Sequence, residues 1–270
     1  MKTIDVGTAR LAAWDDGAGP VLVALHAGVA DSRVWRDSAA VWQAQGWRVV
    51  TYDRRGYGES SWQPESFSHV EDLFAVMNAM EIDSAVLVGN SMGGRTALDA
   101  ALDRPDRING LVLVAAGITG APKLDPADFE PNLAALDAEL DQADESGDLD
   151  LVNTLEAHLW LDGPLQPRGR VSGAARELFL DMNGRALAAP DVGEGRWGPS
   201  AWERLEQVTQ PTVVVTGDFD VTQSNDLLIT AASRMPDARH IALSGSAHLP
   251  MLDDPQAFHD AVSPFLTPLR

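Results

Sequence analysis

A serine set between glycines, a later aspartate and a still later histidine have the types and order needed for acyl transfer. Gly89-Asn90-Ser91-Met92-Gly93 fits the pattern G-x-S-x-G, and Gly94 follows. The pattern has a steric reason. A serine on a tight strand-to-helix turn adopts strained backbone angles, and flanking side chains would clash there. The turn lifts the hydroxyl above the sheet at a helix N-terminus, whose free N–H groups favour developing negative charge. A serine hydroxyl is a poor nucleophile until a base takes its proton. The candidate base is His248, in the Gly/Ser loop Gly245-Ser246-Ala247-His248. The base needs a carboxylate to fix its tautomer. The stretch Gly217-Asp218-Phe219-Asp220 offers two. Asp220, three residues past the glycine, has the reach to turn toward the histidine. Asp218 is placed to bond local backbone in the turn. The oxyanion of acyl transfer needs N–H donors. Met92, after the serine, supplies one. The loop Leu25-His26-Ala27-Gly28-Val29 supplies the other, with Gly28 the choice and Ala27 or Val29 the alternatives. The remaining histidines, His26, His69, His158, His240 and His259, read as structural or exposed, with His158 also a candidate pocket residue.

These residues require a scaffold that brings distant loops to one edge. Short β-branched runs at 21–25, 48–52, 85–88, 111–115 and 212–216 read as buried parallel strands. Helical segments at 38–45, 70–80, 92–103 and 222–234 alternate with them. This alternation predicts an α/β fold with a mostly parallel, doubly wound sheet. Residues 3–6 and 10–14 read as an antiparallel hairpin at one edge. From 118 to 199 no strand is expected, and helical stretches lie near 132–144, 149–160 and 174–182. The expected organisation is a core of 1–117 and 200–270 with a helical cap insertion at 118–199.

The chain has 270 residues, a net charge of −20 and no cysteine. Thiolate catalysis, disulfides and cysteine-based metal sites are excluded. An acidic surface disfavours nucleic acid and anionic membranes as partners. No signal core or membrane-length apolar stretch is present, so the expected location is the cytoplasm.

Together the motifs resemble the α/β-hydrolase superfamily over nearly the whole chain, in its serine esterase and enol-lactonase-like branch. LHAGVADSRVW is similar to the family's oxyanion loop, with Ala27 where a glycine is usual. The stretch 53–60 (DRRGYGES) is similar to its D-x-R-G-x-G-x-S loop. GNSMGG matches the elbow, GDFD the acid loop and GSAHLPMLDDP the histidine segment. The resemblance implies hydrolysis of a carboxylic ester or lactone through an acyl-enzyme, with Ser91, Asp220 and His248 as triad and neither metal nor organic cofactor. A serine at the elbow argues against relatives that use aspartate there, the haloalkane dehalogenases and soluble epoxide hydrolases. C–C bond hydrolysis, lyase or cofactor-free oxygenase chemistry and a ligand-receptor role are the alternatives. Leu155, Leu159, Trp160, Trp197 and Trp202 in and beside the insertion, with Trp35 beside the oxyanion loop, are candidate pocket residues. They imply an uncharged, moderately hydrophobic acyl or alcohol group. A homodimer is left open.

Overall fold

Near-continuous runs of valine and leucine cannot face water on either side, and here both sides are covered. The computed structural model describes residues 1–270. Its strands are β1 (Lys2–Val6), β2 (Ala9–Asp16), β3 (Val21–Leu25), β4 (Arg48–Tyr52), β5 (Phe67–Ser68), β6 (Ala85–Asn90), β7 (Ile108–Val114), β8 (Gly195–Arg196), β9 (Thr212–Gly217) and β10 (Ala238–Leu243). Eight of them form one sheet in the order β1-β2-β4-β3-β6-β7-β9-β10. The pairs β1–β2 and β2–β4 are antiparallel, and every pairing from β4 to β10 is parallel. The two-residue period of a strand sends alternate side chains to opposite layers. Val23 and Leu25 of β3 join one apolar cluster, and Leu22 and Ala24 join the other.

The helices are α1 (Arg36–Ala44), α2 (His69–Ala79), α3 (Met92–Asp103), α4 (Pro131–Ser146), α5 (Leu149–Glu156), α6 (Ala174–Leu187), α7 (Thr222–Arg234), α8 (Pro250–Asp253) and α9 (Pro255–Leu266). Local signals set several ends. The Ser68 side chain accepts from Glu71 N at the start of α2, and Gly147, at φ 72°, ends α4. No helix is long and apolar enough to cross a membrane.

Between β7 and β9 the chain is helical, as its composition predicts, with two departures. A π-helix, Ala157–Asp162, continues α5. The tail is also not strand-free, because β8 pairs with β5 in a separate two-stranded sheet. Leu133, Leu136, Leu155 and Leu159 give the insertion its own apolar core, which reaches Val221 beside the β9 loop.

The strand order decides where a site can form. β3 lies between β4 and β6, so the chain leaves β3 in one direction and later returns on its other side. Such a reversal opens a crevice at the carboxyl ends of the two central strands. The segments 26–29 and 91–94 begin there.

Candidate active site

Ser91 sits at the mouth of that crevice with φ 53° and ψ −114°, between the end of β6 and the first turn of α3. Left-handed backbone costs a serine about 1–3 kcal/mol, so the surroundings must hold it. They do. Ser91 N–H donates to Val114 O at 2.9 Å, and Ser91 O accepts from Arg95 N at 3.0 Å and Gly117 N at 3.1 Å. The glycines around it are spaces other backbone already fills. A Cβ at Gly93 would overlap the Leu25 carbonyl, and one at Gly89 would lie 2.5 Å from the carbonyl of Gly93. Elbow and oxyanion loop are therefore packed backbone to backbone.

Across the crevice, His248 Nδ1 lies 2.7 Å from Asp220 Oδ2, and both side chains are buried. Asp220 Oδ1 accepts from Val221 N at 2.8 Å. Asp218 does something else: it accepts from Gly245 N at 2.7 Å and Ser244 Oγ at 3.1 Å, closing the neighbouring turn. With Nδ1–H directed at the carboxylate, the other ring nitrogen of His248 is left as an acceptor.

Three further contacts hold the histidine loop. Asn90 Nδ2 donates to His248 O at 2.9 Å and to Val114 O at 3.1 Å. His248 N donates to Trp160 O at 3.2 Å, and the Trp160 ring lies 4.5 Å from the His248 ring. Asp253 accepts from Ala247 N at 2.6 Å and is itself bound by Arg170 at 2.8 Å. Arg170 also donates to Leu161 O, Asp162 O and Gly245 O. One guanidinium thus ties the insertion to the histidine loop.

The oxyanion loop has its own support. His26 is fully buried, and burial holds its pKa well below the ordinary value, so it is neutral. Its Nδ1 lies 2.7 Å from Ala27 O, and its Nε2 accepts from Arg54 N at 3.2 Å. Arg54 Nη2 donates to Ala27 O at 2.9 Å. Both donors turn the Ala27 carbonyl inward and leave the following N–H, that of Gly28, outside the loop's hydrogen bonds. Gly28 faces the elbow: a Cβ there would lie 3.5 Å from Met92 Cε. Asp53 anchors the same loop from below, accepting from Ser32 N at 2.8 Å and Glu59 N at 2.7 Å.

The family model for the alpha/beta hydrolase fold matches residues 20–255, and the fold just described is that fold. The chain belongs to this family.

A hydrolase of Burkholderia cepacia, 2-hydroxy-6-oxo-6-phenylhexa-2,4-dienoate hydrolase, is 27% identical over 270 aligned positions that cover 93% of this chain and 89% of that one. An epoxide hydrolase of Caballeronia sordidicola is 35% identical over 114 positions, 40% of this chain and 35% of that one. Among solved structures, a thermophilic esterase from Thermogutta terrifontis superposes with a TM-score of 0.78 at 21% identity, covering 99% of this chain and 98% of that one.

Not every candidate pocket residue of this hydrolase lies at the crevice. Trp35 is fully buried against Trp42 and Phe258. It lines a cavity of about 360 Å³ with Trp14, Thr51 and Asp53, and none of Ser91, Asp220 or His248 borders that cavity. His158 faces α4, lining a cavity with Leu136, Glu139 and Arg168, because the π turn that carries Trp160 to His248 turns His158 the other way. Trp202 packs on the core beneath Arg234. Trp197 stacks on His69 at 4.1 Å. Asn90, Arg54, Arg170 and Asp253 hold the loops of the site through bonds no spacing rule assigned. Only Asp253 had a sequence signal, its place in the histidine segment.

Proposed function

We propose that this chain hydrolyses a carboxylic ester or lactone of a small, moderately hydrophobic substrate through an acyl-enzyme on Ser91. The observation that carries this reading is the strained serine at a helix N-terminus, with a buried Asp220–His248 pair 2.7 Å apart whose loop is bonded to Asn90, the residue before the serine. His248 takes the proton from Ser91 Oγ as the oxygen attacks the substrate carbonyl carbon. The N–H groups of Met92 and Gly28 bind the oxyanion that forms. The intermediate collapses, the C–O bond to the leaving alkoxide breaks, and His248 returns its proton to that oxygen. A water, deprotonated by His248, then attacks the acyl carbon and releases the acid and Ser91. Asp220 orients the imidazole and stabilises its charged form throughout. Trp160, against the His248 ring, limits water around the base, and the helical insertion acts as the cap that shapes the substrate pocket.

The test is labelling with a fluorophosphonate, mass mapping of the adduct and turnover of a p-nitrophenyl ester panel. An adduct on Ser91, ester turnover, and loss of nearly all activity in Ser91→Ala are expected. Activity of Ser91→Ala within tenfold of wild type would overturn the reading.

The alignment with the dienoate hydrolase of Burkholderia cepacia favours a second reading, cleavage of a C–C bond by the same triad. Turnover of a 2-hydroxy-6-oxo-dienoate without ester turnover would select it.

A further inference from the structure

The protein carries 40 acidic residues against 20 basic ones, yet two arginines beside the elbow have no carboxylate partner. Arg54, buried, bonds only to His26 and Ala27, and its Nη1 has no protein partner. Arg95 stands one helical turn after Ser91, on the same side of α3. Its stem passes Gly117, where a Cβ would lie 3.7 Å from Arg95 Cβ and 3.9 Å from Ser91 O. Its Nε donates to Thr119 Oγ1 at 2.9 Å, and Thr119 Oγ1 donates to the buried Asp99 at 2.8 Å. Asp99 in turn accepts from Gly198 N at 3.1 Å, next to Trp197. The guanidinium lies over the Trp197 ring, 3.8 Å from its centroid. The nearby carboxylate of Asp99 thus serves Thr119 and Gly198 through one oxygen, Oδ2, while its Oδ1 has no partner. It aims the arginine without pairing with it, and both terminal nitrogens of Arg95 are left for a ligand.

Arg54 and Arg55 lie on the same side, and Asp99 is the carboxylate whose charge acts on Arg95. Burial, then Arg54, Arg95 and Arg55, pull His69 down to about 3, so the ring under Trp197 is neutral and adds no competing charge. A partly buried arginine held at its Nε, backed by an indole and in no direct ion pair, is a ready partner for a bidentate carboxylate.

We propose that Arg95 binds a carboxylate on the substrate, so that the ester or lactone cleaved at Ser91 is a monoanion with its charge on the side of Trp197. This rests on the hydrolytic reading above and departs from the uncharged group that the aromatic composition implied. A carboxylate there fixes the distance between the anion and the attacked carbonyl. The acidic surface elsewhere repels the same ligand, so selectivity for the anion depends on this one cation.

Two esters of equal chain length test it, p-nitrophenyl hydrogen glutarate and p-nitrophenyl valerate, at fixed ionic strength. The wild type is expected to favour the glutarate in kcat/KM. In Arg95→Met that ratio should fall about tenfold or more, chiefly through KM, with Arg95→Lys between the two. An unchanged ratio with Ser91-dependent turnover intact overturns the proposal and leaves the hydrolytic reading standing. Calorimetric titration of Ser91→Ala with glutarate decides the matter without turnover. Binding that weakens about tenfold when Arg95→Met is added supports the site even where neither ester is cleaved. Binding indifferent to Arg95, or none, overturns it. Thermal unfolding of each variant verifies that it is folded.

Discussion

The side-chain amide of Asn90, the residue before the elbow serine, donates to the backbone carbonyl of His248, 158 positions later, at 2.9 Å. The proposed nucleophile and base are therefore set relative to each other by a bond from the neighbour of the serine to the main chain of the histidine. Asn90→Ala leaves two buried carbonyls, those of Val114 and His248, without this donor, at a cost of about 1–3 kcal/mol. A fall in kcat with KM little changed is expected in steady-state kinetics. A loss confined to KM would assign Asn90 to substrate contact instead.

The two aspartates of the β9 loop should separate cleanly. Asp220→Asn presents an amide where the imidazole needs a carboxylate, and kcat is expected to fall about 10³–10⁴-fold. Asp218→Asn disturbs only the turn it closes on Gly245 and Ser244 and should leave kcat near wild type. A larger loss in the Asp218 variant would reverse the assignment of the acid.

Arg170→Met strands the carboxylate of Asp253, whose side chain is 2% exposed. Removing one partner of such a pair destabilises by about 3 kcal/mol. Urea unfolding should show this loss, and Asp253→Leu in the Arg170→Met background should recover part of it. No recovery would mean that the arginine acts through the carbonyls of Leu161, Asp162 and Gly245 instead.

Acid should destabilise the fold well before the carboxylates titrate. Burial first of all holds His26, His69, His158, His240 and His259 below the ordinary histidine value. Below pH of about 6.5 the unfolded chain takes up protons that the folded chain refuses, so stability is lost as pH falls. His69, pulled down to about 3, stays neutral in the folded protein through that whole window. His69→Gln removes close to one proton from the difference, lowering the slope by about 1.4 kcal/mol per pH unit below pH of about 6. Denaturant unfolding between pH 7 and 5 measures it, and equal slopes in the two proteins would refute a neutral His69.

The core strands and the elbow were legible because their signals are local. A buried parallel strand declares itself in its β-branched run, and Met92–Asp103 and Thr222–Arg234 begin and end where their periodicity does. The order of glycine, serine, aspartate and histidine likewise survives in one dimension. What could not be read depends on partners far along the chain. Asn90 is an unremarked position in its motif until the His248 carbonyl arrives beside it. Trp35 and His158 had the right composition for a pocket, but their neighbours, Trp42 and Phe258 for one and Leu136 and Glu139 for the other, come from elsewhere in the chain. Two-residue β8 has no period at all; it exists only because β5 lies alongside.

The π turn at Ala157–Asp162 makes the length of the insertion as consequential as its composition. Each residue of an ordinary helix advances about 100°. Deleting a single residue from this turn would let it relax to regular α-helix and swing Trp160 away from His248, although no side chain at the crevice would have changed. A one-codon deletion in this segment should therefore cost the hydrolase its activity, whereas the surface loop at 121–125 should accept a change in length.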